Sequence, residues 1–404
     1  MGIVSCCALF CLILFLIAES FVVRYARKQF SLVIHVNGTR GKSTVTRMVH
    51  ALLSSQGMEV YGKTTGSAAR FLLPDGAERP VRRFAPANVR EQRNMMLLSA
   101  FLAKRASPEK RKGAALVFEC NAIQEELQRI SARWLKPDIT IVTNVREDHV
   151  GELGTAEDAA RAFAAAIPGN SVLVTSDGKF TAVWEAAAKQ KNFALRYVAS
   201  SEAGDCEFPE NAACVLGVAD LLGIDRKMAM KAIGGYKPDA GAFRLYSWRT
   251  GSHSVFFADA RAANDTESTH RLLLSAFPAL RQNEGSRQIF LLINRNDRPD
   301  RTWRFMRYIA DRRRELPFDQ YLCFGHTPLL FRRTMKCERI NCAVFQQIKN
   351  LDNMLEEIPE DRVYIFAAGN YDGKGQQITR WLDEKRRRPD FRQISEASLM
   401  EELR

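Results

Sequence analysis

The 404-residue sequence lacks the marks of a disulfide scaffold, a zinc protein and a polytopic membrane protein. Its nine cysteines follow no metal or disulfide spacing: Cys6, Cys7 and Cys11 share one apolar segment, and Cys120, Cys206, Cys214, Cys323, Cys337 and Cys342 are scattered. Reduced thiols of a cytosolic domain account for them, and Cys337 and Cys342 are too isolated for a zinc ribbon. Only one run is long and apolar enough to cross a bilayer, which excludes a many-helix membrane fold. Internal repeats and long low-complexity linkers are absent too, so a repeat array is excluded.

What is present is charge on a globular background. There are 59 Lys+Arg against 46 Asp+Glu, a net charge of +13, with 46% apolar and 26% charged residues. Such a chain builds real cores rather than staying disordered, and its length suits two or three globular units. The excess of positive charge points to an anionic partner: nucleic acid, nucleotide, acidic polymer or lipid surface. Composition does not choose among them.

The apolar run spans Gly2 to Val23, with Glu19 its only charge. About 20 apolar residues cross the hydrocarbon core as a helix. No basic residue precedes the run, whereas Arg24, Arg27 and Lys28 follow it. A cleavable signal peptide opens with Lys or Arg, so the pattern predicts a single-pass anchor over residues 2–23 instead. The positive-inside rule then places the remaining chain in the cytoplasm, at the inner face of the cell membrane. A buried core helix and a signal peptide are the alternatives.

Beyond the anchor, apolar runs at Leu32–Val36, Ala114–Phe118, Ile139–Thr143, Ser171–Thr175, Phe290–Ile293, Tyr321–Phe324 and Val363–Phe366 read as strands. Amphipathic stretches at Ser43–Leu53, Asn88–Ala103, Ala156–Ala165 and Lys179–Lys189 read as helices between them. Continuous apolar strands separated by helices predict parallel sheets covered on both faces, an α/β fold. The segment Lys237–Gly241 breaks a helical stretch, and strand-like runs restart at Leu245–Trp248 and Ser254–Ala258. The expected division is therefore an anchor, a central ATP-binding domain over 24–240 and a smaller Rossmann-like α/β domain over 241–404.

The strongest local signal runs from Val33 to Thr44, where an apolar strand enters Gly38-Thr39-Arg40-Gly41-Lys42-Ser43-Thr44 and a helix follows. That order aims backbone N–H groups and a helix N-terminus at a phosphate. Lys42 would reach the β- and γ-phosphates, and the Ser43 hydroxyl would bind Mg²⁺. The strict Walker spacing asks for glycine at position 36, which is Val36. A chance Gly-Lys-Ser in a surface loop is the alternative.

The form Gly-Thr-x-Gly-Lys-Ser resembles the ATP loop of the Mur ligase superfamily, whose members form amide bonds by activating a carboxylate as an acyl phosphate. The resemblance implies ATP and Mg²⁺ as cofactors and continues in order along the chain. Glu119 stands where the family places a Mg²⁺-binding glutamate. The segment Thr143-Asn144-Val145-Arg146-Glu147-Asp148-His149 is similar to its Thr-Asn-x-x-x-Asp-His motif, with Asn144 by the nucleotide and His149 at a second Mg²⁺. Asn211 resembles the asparagine that meets adenine, and Asn264 and Asp265 the pair that contacts ribose. Arg244 resembles the arginine that opens the C-terminal domain and reaches the γ-phosphate. The resemblance thus assigns catalysis to Lys42, Glu119, His149 and Arg244, and metal binding to Ser43, Glu119 and His149.

Three departures bear on the choice. No Lys occurs between Lys136 and Lys179, so the carbamylated lysine of many Mur enzymes is missing, and Glu267 stands near the place of the family's ribose-segment lysine. The ATP loop also begins almost at the anchor, which leaves no room for a domain holding a UDP-linked precursor. What remains resembles the ligase-subunit family of poly-γ-glutamate synthases (the CapB/PgsB type). The blocks at 37–47, Gly62–Arg70, Gly241–Arg244, Ala262–Asp265, Asn294–Thr302 and Ala368–Gly373 carry that resemblance.

The implied activity is ATP-dependent polymerisation of glutamate through its γ-carboxyl, with glutamate and poly-γ-glutamate as substrates and further membrane subunits, or a second copy, as partners. Lys63, Thr64 and Arg70 are candidate contacts for a phosphate or a carboxylate, or mark a turn. Arg295, Arg298 and Arg301 open a three-residue arginine repeat that reads as carboxylate recognition or as a solvated face. A folylpolyglutamate-type ligase and a membrane-tethered P-loop ATPase acting on another anion are the competing classes. Nucleic acid is not an expected partner, because no recognised module is present and the basic runs hold few aromatics.

Overall fold

The computed structural model describes the chain except for residues 1, 66–68, 82–87, 106–112, 147–153, 205, 207, 240–241, 252, 264, 277–284, 296–298, 317, 326–327, 372, 395–397 and 400–404. His149, Asn264 and Arg298 lie outside the described residues. The chain divides into two compact units, Met1–Asp239 and Ala240–Arg404.

The first unit contains α1 (Gly2–Arg27), β1 (Leu32–Asn37), α2 (Lys42–Ser55), β2 (Glu59–Lys63), β3 (Arg70–Leu72), β4 (Glu78–Pro80) and α3 (Arg90–Arg105). It continues with β5 (Ala114–Glu119), α4 (Glu125–Leu135), β6 (Ile139–Val142), α5 (Ala156–Ala166), β7 (Val172–Thr175), α6 (Thr181–Lys191), β8 (Ala194–Tyr197), α7 (Pro209–Leu222) and α8 (Arg226–Gly234). The eight strands form one sheet in the order β4-β3-β2-β5-β1-β6-β7-β8. From β2 to β8 every neighbouring pair is parallel, and β3 and β4 add an antiparallel margin.

The apolar strands are explained by burial on both faces. Ile34 and Val36 pack with Val45, Val49 and Leu52 of α2 and with α7, whereas Val33 turns the other way onto Met96, Ala100 and Leu135. Each fully buried Val or Ile contributes on the order of 1.5–3 kcal/mol. Strand order reverses around β1, which leaves a crevice at the carboxyl ends of β5, β1 and β6, where open α/β sheets bind ligands.

Helix α1 is long and apolar enough to cross a membrane, and it is exposed along most of its length. Among the described residues, its last turns are the part that packs on the sheet domain. Val23 and Ala26 enter the α3-side core, Glu19 ion-pairs with Arg93 of α3, and Arg27 meets Asp138 at 2.8 Å.

The second unit contains β9 (Arg244–Thr250), β10 (His253–Asp259), α9 (Thr266–Ala276), β11 (Ser286–Asn294), α10 (Pro299–Arg312), β12 (Gln320–Gly325), α11 (Pro328–Cys337) and β13 (Cys342–Phe345). It ends with α12 (Lys349–Glu356), β14 (Arg362–Ala368), α13 (Gly375–Lys385) and β15 (Arg392–Ile394). Its sheet runs β13-β12-β11-β14-β10-β9-β15, parallel through β10 and antiparallel at β9 and β15. Alternate residues of β11 fill opposite cores, Phe290 and Leu292 on one face and Ile289, Leu291 and Ile293 on the other.

Candidate functional site

The crevice of the first unit is built around the turn that follows β1. Gly38 has φ +117° and Gly41 φ +81°, values that glycine reaches without steric cost. Space makes the same demand: a Cβ on Gly38 would lie 2.4 Å from Thr143 Oγ1, and one on Gly41 2.3 Å from Asn211 Oδ1. The loop is therefore pressed against β6's end and α7's first turn.

Its backbone is held from the β6 side. The Thr39 N–H donates to the Asn144 carbonyl at 2.8 Å, and the Arg40 N–H to Asn144 Oδ1 at 3.0 Å. Asn144 Nδ2 and Thr143 Oγ1 both donate to the Arg40 carbonyl, at 3.2 and 2.5 Å. The Arg146 N–H donates to Thr39 Oγ1 at 3.0 Å. The turn leads straight into α2, and the first N–H groups of a helix have no intrahelical acceptor and suit an anion. Lys42 Nζ folds over the loop and donates to the Gly38 and Thr39 carbonyls at 2.7 and 3.0 Å.

The carboxylate beside this loop is Glu119, the last residue of β5, 3% exposed. Ser43 Oγ donates to its Oε2 at 2.7 Å, the Thr65 N–H to the same oxygen at 2.7 Å, and Thr65 Oγ1 to Oε1 at 2.5 Å. One carboxylate thus joins α2 to the segment after β2. Two hydroxyls and a carboxylate form an all-oxygen donor set, the chemistry a Mg²⁺ ion prefers. The glycine cradle and this donor set fit a nucleotide phosphate with its divalent cation. Among the described residues no group of three or more His, Cys, Asp and Glu forms a metal cluster. Any cation here would share protein oxygens with phosphate and water, as Mg²⁺ commonly does.

Lys63 closes strand β2. It is fully buried, with its ammonium 2.8 Å from Glu91 Oε1 and 2.9 Å from Gln92 Oε1. Gln92 Nε2 in turn donates to the Glu119 carbonyl at 2.7 Å. Lys63 therefore braces the strand end that carries Glu119, and its charge is taken up by protein partners. The same charge bears on His35, which burial first and Lys63 second push down to about 3. Thr64 is buried, and its N–H donates to the Arg70 carbonyl at 2.9 Å, so both residues shape the β2–β3 hairpin.

Gly38 to Thr44, Glu119, Asn144 and Asn211 are thus gathered at one sheet edge. Sequence reading missed Thr65, Glu91 and Gln92. Thr65 lay inside the Gly62–Arg70 block, but nothing in the sequence ties it to a carboxylate 54 positions away.

The second unit carries its own polar edge. Arg244 opens β9, and Asp265 caps α9 by accepting the Ser268 N–H at 2.7 Å. Arg301 donates to Asn370 Oδ1 at 2.6 Å, and Asn370 Nδ2 to the Ile293 carbonyl at 2.9 Å, so this arginine ties α10 to the turn after β14. Arg295 follows β11 and is half-buried. Arg261, unremarked in the sequence, is 1% exposed and grips Asp259 through Nη2 at 2.6 Å and Nε at 2.7 Å. It also donates to the Gly375 carbonyl and lies 5.0 Å from the Tyr371 ring centre.

Residues 36–214 match the Mur ligase middle domain, and residues 245–385 match the poly-gamma-glutamate synthase CapB C-terminal domain. The chain is 30% identical over 375 residues to the PGA synthase CapB of Bacillus subtilis (strain 168), covering 87% of this chain and 90% of that one. Among solved structures it is similar to MurF from Acinetobacter baumannii, with a TM-score of 0.64 at 15% identity over 90% of this chain and 80% of that one. It is similar also to a bifunctional folylpolyglutamate synthase/dihydrofolate synthase from Yersinia pestis complexed with AMPPNP and Mn ion. There the TM-score is 0.62 at 11% identity, over 90% of this chain and 92% of that one. At such identities these two structures speak for the fold alone.

Proposed function

The chain belongs to the poly-gamma-glutamate synthase CapB family and is an ATP-dependent ligase, and on that premise we propose that it polymerises glutamate through γ-carboxyl amide bonds. The observation that carries the reading is the Glu119 carboxylate bridging Ser43 and Thr65 beside the glycine loop. An anionic oxygen donor beside a phosphate loop supports a nucleotide with its divalent cation as the ligand.

In the proposed reaction a γ-carboxylate oxygen of glutamate attacks the γ-phosphorus of ATP, and ADP leaves. The amine of the second glutamate, having shed its proton, attacks the acyl carbon, the carbon–oxygen bond to phosphate breaks, and an amide remains. When bound, Mg²⁺ supplies charge neutralisation on the transferring phosphoryl group. Ser43 and Glu119 are its proposed protein donors, joined by His149. Lys42 turns from the loop carbonyls to the phosphates, and Arg244 adds a second positive charge.

Asn144, Asn211, Asn264 and Asp265 are proposed for the nucleotide, with Thr39, Arg40 and Thr44 in its cradle. Arg70, Arg295, Arg298 and Arg301 are proposed for carboxylates of the acidic chain, since the planar guanidinium suits them. We assign α1 as a single-pass anchor that leaves the catalytic units in the cytoplasm, working with other membrane subunits. Its length and apolar surface support this.

The deciding experiment incubates membranes carrying the protein and its partner subunits with ATP, Mg²⁺ and labelled glutamate. Glutamate-dependent ADP release and acid-insoluble labelled polymer are expected. Absence of glutamate-dependent ADP release would overturn the assignment.

A further inference from the structure

The three-residue arginine repeat that opens at Arg295 continues onto the surface of the second unit. Helix α10 takes it up, and each step of three residues turns the side chain back by about 60° around the axis. Arg301 is drawn to Asn370, whereas Arg304 and Arg307 emerge on the outside. Helix α11 lies beside α10 in the same direction, because each carries the chain from one parallel strand to the next. Phe305, Met306 and Ile309 of α10 share one core with Phe331 and Met335 of α11. Just past the ends of the two helices, the Arg313 side chain donates to the Glu338 carbonyl. The residues turned away from that core therefore form one continuous outer face.

This face is basic and carries an aromatic ring. Among the described side chains of the two helices, the exposed charges are Arg304, Arg307, Arg312, Arg332, Arg333 and Lys336 against a single carboxylate, Asp311. The pairs Arg307–Asp311 and Arg312–Glu315, at 3.9 and 3.0 Å, are exposed and take up little of the excess. Trp303, 48% exposed, lies one turn before Arg307 on the same side of α10, and exposed Leu329 stands likewise before Arg333 on α11. Cations gathered this closely raise the local potential, and an anion with many charges gains most from it.

On the polymerisation reading given above, the product is such an anion. Each residue of a γ-linked glutamate chain brings two main-chain methylenes and a free α-carboxylate beside the amide nitrogen. Guanidinium groups suit the carboxylates, and an exposed indole suits the methylenes between them. A single amino acid or nucleotide would leave most of the face unused.

We propose that the outer face of α10 and α11 is a track that holds the finished part of the γ-linked acidic chain while its end is extended. The proposal rests on that polymerisation reading. A second point of attachment keeps the chain end at high effective concentration, so the chain is lost less often between additions.

The test compares the full-length protein with a variant carrying Arg304→Gln, Arg307→Gln and Arg333→Gln, all at exposed positions that tolerate change. Binding of a dye-labelled γ-linked glutamate oligomer to the detergent-solubilised protein is followed by fluorescence anisotropy. Glutamate-dependent ADP release with γ-glutamylglutamate as acceptor, and the length of polymer made, are followed in membranes carrying the partner subunits. Binding should be roughly tenfold weaker in the variant, and in the unaltered protein it should fall steeply as salt is raised. Polymer should be several-fold shorter, while initial ADP release with the short acceptor stays unchanged. Unchanged binding or unchanged length overturns the track. A fall in ADP release with the short acceptor that matches the fall in length places these arginines in the reaction itself and overturns it too. Tighter binding of a single-stranded oligonucleotide of equal charge, lost in the same variant, assigns the face to nucleic acid instead. No glutamate-dependent ADP release from the unaltered protein removes the polymerisation reading and the track with it, a result distinct from the other three.

Discussion

Ser43 Oγ and Glu119 Oε2 stand 2.7 Å apart, although 76 residues separate them in the chain. This bond links the first turn of the helix after the phosphate loop to the end of the neighbouring strand. It is also the place where a hydroxyl and a carboxylate can share one cation.

Replacing Glu119 with Gln keeps the shape and the partners of Ser43 but removes the negative charge. Turnover should fall by roughly 10²-fold or more, in the range seen when a charge-stabilising group is lost from a transition state. The Mg²⁺ concentration for half-maximal ADP release should rise as well. A titration of ADP release against Mg²⁺ checks both, and an unshifted Mg²⁺ curve would reject the metal role.

Gly41→Ala should abolish nucleotide binding, because the new methyl would lie 2.3 Å from Asn211 Oδ1 at a φ of +81°. Lys42→Ala leaves the turn intact and should bind nucleotide while losing turnover. Nucleotide binding followed by calorimetry, beside ADP release, separates the two variants.

Stability should decline as pH falls from neutral toward 4, and His35 is a main cause. Its buried ring is held down to about 3, first by burial and then by the Lys63 charge, against an unfolded value near 6.5. Below about 6.5 the unfolded chain binds a proton that the folded one does not, so stability drops by up to about 1.4 kcal/mol per pH unit. His50, brought to about 4 chiefly by burial, adds in the same direction. Urea denaturation at intervals between pH 7 and 4 should give a shallower decline in His35→Gln; an identical slope would exclude His35.

Arg261→Lys should destabilise the second unit by roughly 3 kcal/mol, the scale for breaking a buried ion pair. Lysine cannot reproduce the two-pronged grip on Asp259 together with the bond to the Gly375 carbonyl. Scanning calorimetry of the full chain should show one transition moved down. Unmoved transitions would mean that the arginine is not needed for the fold.

The elements legible in the sequence were those whose signal is local. The apolar run from Leu32 to Val36 is observed as β1 over Leu32–Asn37, and Ala114–Phe118 as β5 over Ala114–Glu119. Both are buried on two faces, so their apolarity is continuous. The glycine loop was readable because its two glycines and Gly-Lys-Ser fall in consecutive residues between an apolar strand and a helix. Strands β3 and β4, three residues each at the sheet margin, carry too little apolar pattern to stand out. Helix α7 does not show as an amphipathic stretch, since its apolar residues run around most of the helix instead of along one stripe.

By itself, then, the sequence determined the alternation of strand and helix, the phosphate turn and one helix of membrane-crossing length, because each is written in consecutive residues. Tertiary structure alone decided that Thr65 shares the Glu119 carboxylate, that Lys63 is spent on Glu91 and Gln92, and that Arg261 is buried against Asp259. The same holds for the docking of the end of α1, where Glu19 pairs with Arg93 and Arg27 with Asp138. Those relations join residues far apart in the chain, and only the packing of a parallel sheet, which collects its strand ends along a common edge, brings them together.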